Sequence, residues 1–102
     1  MNFLEFKDYI EMHSKAYKVF ITKAAKYQID KNNKRSRYKK WRIEQINSKI
    51  YFMWNNVIAK LYNDIFESKG IKVKTYKDWV SYLDKKKTIK KFDKNISKLK
   101  FR

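Results

Sequence analysis

The chain has 102 residues, no cysteine, no proline and a single glycine, and it carries a formal charge of +17. That length makes one domain with a modest core, and the lack of cysteine excludes disulfides and thiolate metal sites and fits a reducing cytoplasm. An apolar fraction of 43% with 18% aromatic residues excludes a disordered chain, and with almost nothing to interrupt a helix the expected fold is all-α.

The first helix is expected from Phe3 to Gln28, capped by Asn2 with Glu5 as its capping-box partner. Its apolar stripe reads Leu4, Ile10, Tyr17, Phe20, Ala24 and Tyr27, widened by Phe6, Tyr9, His13 and Ile21. "QIDKNN" reads as the following turn, where Asn32 and Asn33 can take a left-handed conformation. A long second helix is expected from Arg35 to Lys69, with Ile43, Ile46, Ile50, Met53, Val57, Leu61 and Ile65 as its stripe and Gly70 just past its end. Within it "IYFMW", Ile50 to Trp54, is apolar on every face. Such a segment must be covered on more than one side, either by the other helices or by a partner. Tyr51, Phe52 and Trp54 are therefore the candidate partner-docking residues.

"IKVKT" reads as a short extended link, and Thr75 with Asp78 signals the N-cap of a short helix through Trp79, Val80 and Leu83. In the last segment Ile89, Phe92, Ile96 and Leu99 space as an apolar face. Lys87, Lys91, Lys94 and Lys98 space as a basic one. The architecture expected is a small bundle of two long antiparallel helices and one or two shorter C-terminal helices. Residues 1–84 form its core domain, and 85–102 a basic amphipathic helix or tail. Acids at Glu5, Asp8 and Glu11 do not fit a signal peptide, and no apolar run approaches the length of a membrane span.

Lysine supplied by codon bias would be spread evenly, and here it is not. Residues 31–42 hold seven bases and no acid, and residues 85–102 hold nine bases against one acid. The remaining 72 residues carry only two charges in excess. Two separated basic blocks are the footprint of polyanion binding. The first spends three of the chain's four arginines, where a planar guanidinium can fork onto phosphate or stack on a base. Tyr38 and Trp41 lie among them and add π-faces. As a helix, this stretch places Arg35, Tyr38 and Arg42 on one face. Alternatively, Tyr38 and Trp41 fold back on the first helix and the cations are merely solvated. The candidate nucleic-acid residues here are Lys31, Lys34, Arg35, Arg37, Tyr38, Lys39, Lys40, Trp41 and Arg42. In the second block they are Lys85, Lys86, Lys87, Lys90, Lys91, Lys94 and Lys98, which suit phosphate tracking without base readout.

Catalytic signatures are absent from the sequence: it has no cysteine nucleophile, no glycine-rich phosphate loop and no zinc-ligand spacing. The lone His13 reads as a packing residue at the rim of a helix, and no cofactor or metal is expected. The reading is a non-enzymatic nucleic-acid binder, with single-stranded or primer–template DNA favoured and neither membrane nor small-molecule substrate as partner.

"RSRYKKWRIEQIN" and "GIKVKTYKDWVSYLDKKK", in a short chain rich in Lys, Asn and Ile, resemble small proteins of Gram-positive phages and mobile elements. In size and layout the chain is similar to the small protein that accompanies an A-family DNA polymerase in replication operons of staphylococcal cassette chromosomes. The resemblance covers the whole chain in character but no motif, so it transfers no functional residue. It implies an accessory that binds a DNA polymerase and helps hold template or primer while the polymerase supplies the catalytic carboxylates. Two other roles suit the same sequence: an inhibitor from a phage or mobile element that binds a host protein or nucleoprotein, and an RNA- or ribosome-associated protein.

Overall fold

A computed structural model of the chain describes residues 1–69 and 74–101, and for Lys69 the backbone alone. The described residues form an all-α bundle of five helices: α1 (Phe3–His13), α2 (Ala16–Asn33), α3 (Ile43–Lys69), α4 (Tyr76–Lys85) and α5 (Thr88–Ser97). A single 3-10 turn at Arg37–Lys39 lies between α2 and α3.

Contacts in chain order show how these elements sit. Met1 and Phe3 meet Tyr62 in the later part of α3, Tyr17 and Phe20 meet Trp54 midway along it, and Asn32 meets Trp41 just before it begins. The α1–α2 rod is therefore antiparallel to α3. Over the same course its partners on the last rod rise from Trp79 (Phe6) through Asp93 (Ser14) to Phe101 (Tyr27), so α4 and α5 run parallel to it. The molecule is a three-rod bundle, 52 × 23 × 21 Å, in which two of the rods are broken.

The first break corrects the single helix expected over residues 3–28. Ser14 is extended (φ −111°, ψ 146°). Its hydroxyl accepts the Ala16 N–H and donates to Asp93, a local side-chain alternative to the helical ladder. The second break lies at Lys87, the one non-glycine residue with positive φ among those described (φ 51°, ψ 36°). It turns the chain from α4 into α5. Both breaks border one groove of about 620 Å³, walled by Tyr9, His13, Lys15, Leu83, Asp84, Lys87 and their neighbours.

Both expected capping boxes form: Asn2 with Glu5 opens α1, and Thr75 with Asp78 opens α4. The Thr75 backbone N–H and hydroxyl hold the Asp78 carboxyl below its ordinary pKa. That favours the folded state at neutral pH, and the contribution disappears as pH falls through the lowered value. The end of α3 expected at Gly70, with Ile71 beside it, and most of the "IKVKT" link fall outside the described residues.

The core joins all three rods through Phe6, Ile10, Phe20, Ala24, Ile46, Ile50, Trp54, Ile58, Trp79, Leu83, Phe92 and Ile96. The expected stripes are rotated slightly. Leu4 and Ile43 are exposed while Phe6, Trp54 and Ile58 are sealed, because the third rod covers a face that two helices alone leave open. Trp79 stacks on Tyr62 at 4.9 Å and meets Phe6 edge-on at 5.5 Å. Lys7 is buried between α1 and α3. Burial by itself lowers its pKa, but the hydrogen bond it donates to the Tyr51 hydroxyl and the nearby Glu11 outweigh that and hold the pKa above the ordinary lysine value. Its contribution to stability is therefore complete at neutral pH and is lost only as pH rises through that raised value.

Burial divides "IYFMW" into two classes: Trp54 is 0% exposed, whereas Phe52 is 56% exposed. Trp54→Ala is expected to cost about 3–5 kcal/mol in urea unfolding, and Phe52→Ala within about 0.5 kcal/mol. Equal losses at the two positions would contradict the packing described.

Candidate nucleic-acid interface

The first basic block is a loop, not the start of a helix, because two side chains set both of its ends. α2 runs on to Asn33, five residues past its expected end, and the Asn32 amide then grips the returning chain. Asn32 Oδ1 accepts the Trp41 backbone N–H at 2.8 Å, and its Nδ2 donates to the Trp41 carbonyl at 3.2 Å, the pairing one strand would offer another. At the far end Gln45 Oε1 accepts the Arg42 N–H at 2.9 Å, and the Ile46 N–H reaches the Arg42 carbonyl. Arg42 is thus held at the N-cap position, and α3 begins at Ile43, eight residues later than expected. Consequently Arg35, Tyr38 and Arg42 do not share a helical face.

Within this loop the candidate residues divide. Trp41 packs against the core, with the Arg35 guanidinium over its ring at 4.0 Å and donating to Asn32 Oδ1 at 3.0 Å. These two brace the loop. Lys31, Lys34, Arg37, Lys39, Lys40 and Arg42 are exposed, and Tyr38, at the tip between Arg37 and Lys39, is 94% exposed. Of the two aromatics expected to present π-faces, Tyr38 does so fully. Trp41 does so only along one groove, which it shares with Glu44, Gln45, Ser48 and Lys49.

The second block runs from Lys85 at the end of α4, through the turn, along α5 to Lys98 at its C-cap. Phe92 and Ile96 are buried and Ile89 and Leu99 half-buried, which leaves Lys85, Lys86, Lys87, Lys90, Lys91, Lys94 and Lys98 in solvent. From Lys87 to Lys98 the basic stripe extends about 16 Å at helical rise. The C-terminal carbonyls of α5 are tied to α2 by the Lys23 ammonium, which donates to Ser97 O at 2.6 Å, Leu99 O at 2.9 Å and Ile96 O at 3.2 Å.

That tie joins the two blocks. Past it, Phe101 packs on Phe20 and Tyr27 at 5.5 and 5.4 Å, and Lys31, one turn along α2 from Tyr27, holds its ammonium over the Tyr27 ring at 6.0 Å. Lys26 and Lys100 line the groove beside this ring pair. A mainly basic face therefore runs from Lys87 along α5, past Tyr27 and Phe101, to the 34–42 loop, with Asp30 exposed in the groove beside the ring pair. Lys26, Lys100, Tyr27 and Phe101 were not expected as part of the site from sequence. Lys100 and Phe101 fall within the second block without having been singled out in it, and the meeting of residue 27 with residue 101 has no local trace.

Among the partner-docking candidates, Trp54 belongs to the core, whereas Tyr51 and Phe52 stand half-exposed on α3. His13 is exposed, with its ring against Tyr9 at 4.2 Å. Among the described residues no group of three or more His, Asp or Glu side chains could hold a metal ion, and no helix is long and apolar enough to cross a membrane. Neither a family model, nor a curated protein, nor a solved structure matches this chain in comparisons with known proteins.

Because the Asn32 amide satisfies a peptide at both its N–H and C=O, Asn32→Ala is expected to destabilise the fold by about 1–3 kcal/mol. Arg37→Ala and Tyr38→Ala, which touch solvent only, should stay within about 0.5 kcal/mol. Thermal or urea unfolding of the three variants checks this.

Proposed function

We propose that this protein is a non-catalytic, nucleic-acid-binding accessory protein that holds a single strand by its phosphates. The observation that carries the reading is the continuity of the basic face: two blocks far apart in sequence meet through Tyr27 and Phe101. Reading a duplex requires a helix or ribbon seated in a groove, and the arginine-bearing loop has neither form. A loop tip with Tyr38 exposed between two cations suits an unpaired base, which stacks on the ring while its flanking phosphates meet Arg37 and Lys39. The lysines of α5, without arginine or an exposed tyrosine among them, suit the backbone that leads to that tip.

In the replication setting implied by the resemblance, such a grip would keep template or primer close to a polymerase that performs the chemistry. Tyr51 and Phe52, exposed on α3, form the apolar surface best placed for such a contact.

Binding of a dT oligonucleotide, followed by fluorescence anisotropy, is expected to weaken about 300-fold between 50 and 200 mM salt if roughly six phosphates of a single strand are neutralised. Arg37→Ala should weaken every sequence alike and reduce the salt slope by about 0.7. Tyr38→Ala should cost about 1–3 kcal/mol with the slope unchanged. A flat salt response would exclude the electrostatic grip.

A further inference from the structure

Beside the basic loop lies a groove of about 500 Å³, walled by the Trp41 ring and by Glu44, Gln45, Ser48 and Lys49 of α3. Arg42 borders an adjoining recess with the same Glu44 and Gln45. Glu44 is the only acid between Asp30 and Asp64, a stretch that holds nine basic residues. Among the described residues, the Glu44 carboxylate and the Ser48 hydroxyl have no hydrogen-bond or ion-pair partner. Gln45 commits its carbonyl oxygen to the Arg42 N–H, and its amide NH₂ stays available. The groove therefore combines an aromatic wall, a free carboxylate, a free hydroxyl and an amide donor, with cations on either side. Glu44 lies in the first turn of α3, where a carboxylate suits the helix dipole, and its free oxygens can also accept hydrogen bonds from a base edge in the groove.

We infer that this groove seats one unpaired base of the bound strand and that Glu44 makes it selective for guanine. The inference rests on the nucleic-acid reading above. A carboxylate offers two acceptor oxygens and no donor. Guanine alone among the bases presents two adjacent N–H donors, at N1 and N2, so the two can pair in the bidentate manner. Adenine and cytosine place an acceptor nitrogen next to their single amino group, and thymine flanks its imide N–H with two carbonyls, so each sets an acceptor against a carboxylate oxygen. The base ring rests on Trp41, and Arg42 and Lys49 take the phosphates on either side. Tyr38 accepts any base at the loop tip, while this groove sets register.

The test uses the full chain and four 12-residue strands: dT throughout, or dT with a single central dG, dA or dC. Wild-type protein is expected to bind the dG strand about tenfold more tightly than the others at one salt concentration. Glu44→Gln should abolish that preference while leaving the salt slope on the dT strand intact. A second readout is intrinsic fluorescence: Trp54 and Trp79 are sealed in the core, so quenching by the dG strand should come from Trp41 and be lost in Trp41→Phe. Salt-dependent binding with no base preference, or a preference that survives Glu44→Gln, overturns the inference alone. Failure of wild-type protein to bind any strand at low salt overturns it together with the nucleic-acid reading.

Discussion

Trp54 lies fully buried midway along α3, its indole in ring contact with Tyr17 and Phe20 of α2 and with Phe92 of α5. Three rods can share one aromatic only if they pack side by side at that level, and this brings α5 alongside α2. With Phe92 and Ile96 turned into the shared core, the lysines of α5 can point only outwards. Lys23 and Phe101 then fasten the C-terminal end of α5 to the stretch of α2 that leads into the arginine loop. The placement of charge thus follows from how the apolar residues pack.

A chain with +15 of its +17 in two blocks must keep those blocks from disrupting the fold. Like charges a few ångströms apart repel even in water, by an amount that salt reduces. The structure keeps the exposed cations on the surface and uses three others as internal fasteners: Arg35 over Trp41, Lys23 on the carbonyls of α5, and Lys7 on the Tyr51 hydroxyl. The loop they brace is held by the Asn32 amide, not by helix, so Arg37, Tyr38 and Lys39 are displayed without being folded into a groove-reading element. Under the proposed function, repulsion left in the free protein would be relieved by a bound polyanion, giving a phosphate backbone an advantage over a neutral partner.

Much of the fold was legible in the sequence because it depends on local chemistry. The caps at Asn2 and Thr75 form as their spacing implies, and the amphipathic pattern of residues 89–99 packs as read. The departures have non-local causes. The break at Ser14 depends on Asp93, 79 residues away, and the late start of α3 depends on Asn32 reaching Trp41. A periodic pattern cannot reveal either, since a side chain that mimics a backbone partner leaves the hydrophobic spacing unchanged. The charge blocks of the candidate site were visible as composition. That they form one face was not, because it rests on contacts of residue 27 with residues 31 and 101.

The central claim is that two basic blocks act as one surface. An NMR titration of the ¹⁵N-labelled protein with a short single strand tests it most directly. Amides of residues 34–42 and of 91–101 should shift together, along one saturation curve, while those around Phe66 on the far part of α3 stay still. Shifts confined to one block, or two blocks saturating at separate strand concentrations, would contradict the account.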